Sequence, residues 1–168
     1  MAARDVIKNQ TLFVDGRGYA GQLTEVNPPK LNLMLEEYRG GGMDAAVDIT
    51  MGMEKLVADF SLISYDRDVL ALFGVAEGNS VPFTVREVLE SFDGTTTAVI
   101  HNMRGKIIGL DSGTHTPGQP APLKVDVSLT YYKQTHGGVV VHEIDVPNMV
   151  RIINGVDSLA GQRRALGI

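Results

Sequence analysis

Leu31-Asn32-Leu33-Met34-Leu35-Glu36-Glu37 and Ala46-Val47-Asp48-Ile49-Thr50-Met51-Gly52-Met53 each alternate along the chain, and they flank the run Tyr38-Arg39-Gly40-Gly41-Gly42-Met43-Asp44-Ala45. Side chains two apart share a face of a strand, so Leu31, Leu33 and Leu35 oppose Asn32, Met34 and Glu36, while Val47, Ile49 and Met51 oppose Asp48 and Thr50. The pattern predicts an extended hairpin around 31–53 whose strands each have one buried and one wetter face. A tight hairpin would use a two-residue turn. Three consecutive glycines instead give a loop with almost no intrinsic shape, which is expected to take its order from outside, from a neighbouring subunit.

Outward from the hairpin the same period recurs. Thr11–Val14 and Gly21–Val26 read as short strands after a loose start, closed by Asn27-Pro28-Pro29. Leu56, Ala58, Phe60 and Leu62 form one apolar strand face. At Asp66, a helix N-cap candidate, the period changes: Val69, Leu70, Leu72 and Phe73 fall at helical spacing, and Gly74 can supply a left-handed stop. Strands follow over 83–92 and 96–110 around an Asp93-Gly94 turn, then a proline-rich surface loop over 111–122. Leu123, Val125, Val127, Leu129 and Tyr131 alternate with Lys124, Asp126, Ser128, Thr130 and Tyr132, and Gly137-Gly138 turns that strand into 139–146. Ile152 and Ile153 point to a docked segment and Asn154-Gly155 to a stop, leaving a possible C-terminal helix. The fold class is mainly β, a β-sandwich or partly closed barrel in one domain over 1–168, with one short α-helix near 66–73.

A chain of 168 residues suits one core, burying roughly 70% of the unfolded surface. With no cysteine, disulfides and thiolate metal sites are excluded. Val69–Ala76, the longest nearly apolar run, is about a third of a bilayer span, so no membrane anchor is expected. Met1–Lys8 shows no sustained apolar export segment, which predicts residence in a cytoplasm until assembly or lysis. The net charge of -5 argues against tight nucleic-acid binding through phosphate neutralisation.

Gly16-Arg17-Gly18-Tyr19-Ala20-Gly21 fits the spacing of a dinucleotide fingerprint, but Pro28-Pro29 leaves no room for the helix that would receive the pyrophosphate. It reads as a hairpin turn, and no cofactor is expected. His101, His115, His136 and His142 lack ligand spacing and read as surface or interfacial residues, with no metal. Ser112 and His115 lie close in one loop, which does not build a hydrolytic triad, and no catalytic residue is assigned. Glu36, Glu37, Asp44, Asp48, Glu54 and Asp59 read either as a solvated strand face or as a channel lining whose fixed charge repels phosphate. Glu36 and Asp48, each set opposite an apolar strand face, are the preferred candidates for such a channel lining. Arg39, Gly40, Gly41, Gly42, Met43 and Asp44 form a candidate interface loop, in which Arg39 offers forked donors and Met43 fills irregular apolar gaps. Its plain alternative is a mobile surface connection.

Pro29–Asp44 with Met51-Gly52-Met53-Glu54 resembles the major tail tube protein of contractile-tailed bacteriophages and R-type pyocins. Ser128-Leu129-Thr130-Tyr131-Tyr132-Lys133, His142-Glu143-Ile144-Asp145 and Ile153–Gly161 extend the likeness in the same order, from about Leu12 to Ile168. The resemblance implies a structural subunit whose hexameric rings stack into a hollow tube inside a sheath, driven through the target envelope and conducting phage DNA. It also implies that the 31–53 hairpin reaches adjacent protomers, with Arg39, Gly40, Gly41, Gly42, Met43 and Asp44 as its inter-subunit loop and Glu36 and Asp48 as candidate lumen-facing residues. Implied partners are further copies of the chain, the tail sheath, baseplate and tail terminator proteins, and a tape measure protein and DNA held in the lumen without specific binding. The implied location is the virion tail or pyocin particle, assembled in the bacterial host cytoplasm. Alternatives are the inner tube of a related contractile injection or secretion system, a β-sandwich ligand-binding module, and a small nucleotide-dependent enzyme.

Overall fold

The computed structural model describes residues 3–168. Strands hold 54% of the residues and helices 7%, so sheet packing closes the core. The architecture turns on β9 (Leu123–His136). One of its edges pairs along nearly its whole length with β8 (Thr96–Asp111), which pairs in turn with β7 (Val81–Glu90). Its other edge is shared. Leu123–Ser128 pair with β6 (Val57–Leu62), and Tyr131–His136 pair with β10 (Val139–Asp145).

The change of partner coincides with a bulge. Arg104 pairs with Tyr131 and Gly105 with Leu129, leaving Thr130 unmatched. A Cβ on Gly105 would lie 2.0 Å from the Ser128 carbonyl oxygen, so only a residue without a side chain lets β8 approach β9 this closely. The extra residue also reverses the phase of β9. Leu123, Val125, Val127 and Leu129 are buried as the alternation predicts, but beyond the bulge Tyr132 is buried and Tyr131 turns outward beneath the Arg104 guanidinium, 4.4 Å from its ring centre. The unbroken alternation through Tyr131 therefore does not hold.

From this junction the sheet extends three ways. β3 (Leu23–Asn27) pairs with β6, and β1 (Val6–Val14) pairs with β7 and, at its end, with β2 (Arg17–Gly18). β11 (Val150–Ile153) and β12 (Val156–Asp157) continue from β10. The sheet curls until β1 approaches β3, yet no ladder joins them. The expected sandwich or partly closed barrel is thus an open, curled sheet whose sides are not bonded into a barrel. Inside the curl lie Leu12, Val14, Phe60, Leu62, Phe83, Val85, Ile107, Leu123 and Val125. Each contributes about 1.5–3 kcal/mol relative to an exposed position.

The predicted helix is α1 (Arg67–Ala71), capped by the Asp66 carboxylate, which accepts from the amides of Asp68 and Val69. Val69 enters the core, and Leu72 rather than Gly74 ends the helix. The amino-terminal segment is not a loose start, since β1 begins at Val6; Met1 and Ala2 lie outside the described residues. Asp15 and Gly16, at φ 49 and 79, form the two-residue turn between β1 and β2, so the glycine motif is a hairpin as expected. Asn154-Gly155 is a turn of the same kind inside the β11–β12 hairpin rather than a helix stop. The C-terminal helix follows it as α2 (Ala160–Leu166).

Candidate functional site

β4 (Leu33–Tyr38) and β5 (Val47–Met53) pair only with each other and form a two-stranded arm outside the main sheet. The arm is anchored at its base. Leu31 and Met53 pack on the core, the Asn32 amide donates to Glu54 at 3.1 Å, and the Glu54 backbone N–H donates to the Asn32 carbonyl at 3.0 Å. Beyond that base the sequence and the burial disagree. Alternation calls for one covered face, yet every residue of β4 is exposed, and Leu35, Tyr38, Val47, Ile49 and Met51 are 55%, 55%, 49%, 45% and 59% accessible. A two-stranded ribbon is marginal by itself, and isolated soluble chains rarely display so much contiguous apolar surface.

The register fixes which residues share a face. Leu33 pairs with Met53, Met34 with Gly52, Leu35 with Thr50, Glu36 with Ile49, Glu37 with Asp48, and Tyr38 with Val47; Met51 is the extra residue of a bulge. Directly paired residues point to the same side. One face thus carries Leu33, Leu35, Thr50 and the acidic pair Glu37 and Asp48; the other carries Met34, Tyr38, Val47, Ile49 and a single acid, Glu36. Glu36 and Asp48 therefore lie on opposite faces, and one flat wall cannot present both. The bulge at Met51 hides this from an alternation count.

The tip has more order of its own than its glycines imply. Gly40 carbonyl oxygen accepts from the Met43 amide at 3.2 Å, Gly42 takes φ 88 as the third residue of a type II turn requires, and Arg39 Nε donates to the Met43 carbonyl at 3.1 Å. The Gly40 amide also lies 3.2 Å from Met43 Sδ. Gly41 has neither a positive φ nor a close neighbour. Asp44 is exposed beyond this turn. Of the wider acidic group, Glu54 is held by Asn32 and Asp59 accepts from Asn27 at 2.8 Å, whereas Glu36, Glu37, Asp44 and Asp48 form no ion pair among the described residues.

The histidines do not converge. His115 sits edge-on to Tyr65, His142 Nδ1 lies 3.0 Å from Gln134 Oε1, and among the described residues no three His, Asp or Glu side chains gather as metal ligands would. His101 corrects the surface assignment, for it is 4% accessible. Its ring bridges Tyr132 Oη, at 3.0 Å from Nδ1, and Glu87 Oε2, at 3.3 Å from Nε2. Burial, with Glu87 adding to it, pushes the Tyr132 hydroxyl up to about 12. Phase reveals the buried side of two of the three, since Glu87 falls in step with Phe83, Val85 and Leu89, and His101 with Val99 and Met103, whereas the bulge hides Tyr132.

No helix among the described residues is long and apolar enough to cross a membrane. What the geometry offers is an anchored, exposed, partly apolar arm on a curled sheet, and comparison with known proteins gives it a setting. The profile of the family described as phage tail tube protein FII matches residues 4–167. The chain belongs to this family. It is 33% identical to the tail tube protein of Escherichia phage P2 over 172 aligned positions, covering all of both chains. It is also 29% identical to the major tail tube protein of Serratia phage KSP20 over 152 positions, covering 89% of this chain and 88% of that one. A tail tube family member with this fold is a structural tail component that builds a tube with other tail proteins.

Proposed function

We propose that residues 1–168 act as one tube domain whose copies close into hexameric rings, stacked to make the hollow inner tube of a contractile tail. The exposed arm carries this reading: its alternation demands cover, and the described residues of its own chain supply none. Ring closure has material in the sheet edges as well. Along Val6–Thr11, β1 pairs with β7 alone, and a free strand edge is a template for another chain. The Arg39–Asp44 tip is the inter-subunit loop.

A sheath surrounds this tube, baseplate and terminator proteins close its ends, and the tape measure protein and then DNA occupy the bore without specific binding. The subunit assembles in the host cytoplasm and performs no catalysis. Because the register separates Glu36 from Asp48, only one of them is assigned to the bore. Asp48 is that residue, beside Glu37; symmetry would repeat the pair as rings of negative charge that repel phosphate. Sedimentation velocity over a concentration series tests the reading. Wild-type chain should pass from monomer to ring-sized species, and a chain with residues 34–51 replaced by a short turn should stay monomeric while keeping its β-sheet spectrum. A wild-type chain that remains monomeric at high concentration contradicts it.

A further inference from the structure

At the base of the arm lies a cleft of about 550 Å³, between the end of β5, the last residues of β10, the start of β11 and the segment leading into α2. Its wall is largely apolar, built by Met53, Leu56, Leu129, Ile144, Met149 and Leu159. Four charged groups lie along it. Glu54 is occupied by Asn32, and Asp145 accepts from the Asn148 amide and side chain at 3.2 and 2.9 Å. The side chains of Lys55 and Arg151 have no hydrogen-bond or ion-pair partner among the described residues. The cleft therefore offers apolar surface together with unspent positive charge, and its complement is an apolar surface carrying a carboxylate.

The Met34, Tyr38, Val47 and Ile49 face of the arm has that composition, with Glu36 as its one acid. We propose that the cleft receives the arm of a second copy of this chain, which lays this face on the apolar wall and sets Glu36 against Lys55 and Arg151. The proposal rests on the tube reading and names the receiving surface for the arm. A copy does not fill its own cleft, because Gly52 and Met53 form part of the wall and Glu36 lies three strand residues, about 10 Å, farther out. Each copy thus gives one arm and receives one. Such a heterologous contact propagates from copy to copy, as a ring or stack requires. Burial of four apolar side chains supplies the attraction. The contact of Glu36 with these two cations, shielded from water, sets the register, since a carboxylate enclosed without a cation is strongly disfavoured.

Charge exchange tests the contact. Glu36→Lys, on an exposed strand, and the double variant Lys55→Glu, Arg151→Glu should each leave the monomer's thermal transition within a few degrees of wild type. Each should raise the concentration at which rings form at least tenfold. Mixing the two variants should restore assembly near the wild-type concentration, because alternating copies place every reversed arm in a reversed cleft; the triple variant in one chain should do the same. As an apolar check, Ile49→Asp should fail to assemble alone or in any mixture. Wild-type tubes with a Glu36→Lys variant that assembles equally well, or with no rescue on mixing, would overturn the docking while leaving the tube reading intact. A wild-type chain that forms no rings removes the tube reading and the docking with it.

Discussion

Gly105 is the residue on which the sheet's branching depends, because β8 can press against Ser128 only where no Cβ intervenes. Gly105→Ala should cost about 1–3 kcal/mol in chemical denaturation, as overpacking does, and should leave the arm untouched. The buried trio gives a second expectation. His101→Phe keeps an aromatic ring but leaves the Glu87 carboxylate enclosed without its partner, and a loss of about 3 kcal/mol is expected from the same measurement. At the arm tip the glycines separate. Gly42→Ala must strain a φ of 88 and should disfavour the turn by about 1 kcal/mol, whereas Gly41→Ala should change stability by less than about 0.5 kcal/mol. Nuclear magnetic resonance shifts of Gly40 and Met43 would report the difference. The sequence shows three equivalent glycines, and only the backbone angles distinguish them.

Of the two helices, α2 is held less by packing: none of its residues is buried, whereas α1 buries Val69. Its tether is Arg163, which donates to Asp157 Oδ2 at 2.6 Å and to the Met149 carbonyl at 2.7 Å, while Asp157 also accepts from the Leu159 amide. The Arg163 hydrogen bond, followed by the Leu159 amide, holds the Asp157 carboxyl below its ordinary value. A depressed carboxyl stabilises the folded tether fully above its unfolded pKa of about 3.9, and this contribution disappears as the pH falls through the lower folded value. Protection of α2 amides against hydrogen exchange should therefore drop at the acid end, and the Asp157→Asn variant should lose that dependence.

Strand positions were largely legible because alternation survives wherever one face is covered, as on β6, β7 and the first half of β9. It misled where a residue is added. The bulge at Thr130 exchanges Tyr131 for Tyr132, and the one at Met51 separates Glu36 from Asp48, since a shift of one reverses every later side chain. The arm itself was readable as a hairpin, but its missing cover was not, because alternation records that a face is buried without recording by whose chain. The cleft is not legible in the sequence for another reason: its wall joins Met53, Leu129, Ile144 and Leu159, which no local spacing connects.

In the proposed tube the lumen residue Asp48 and the docking face of Val47 and Ile49 lie on opposite sides of the arm, so each can be tested apart from the other. Asp48→Lys should permit assembly but slow genome release from complete particles at low salt, with the defect diminishing at moderate salt as screening weakens attraction to phosphate. Unchanged release at low salt would move Asp48 away from the bore. In the proposed tube the arm's open face is covered by another copy of the same chain. Electron cryomicroscopy of the purified, concentrated wild-type protein measures this directly. Stacked six-membered rings are expected, in which each arm lies on the neighbouring protomer with its Val47 and Ile49 face enclosed. Arms left in solvent or folded back on their own sheet, or a preparation without rings, would contradict it.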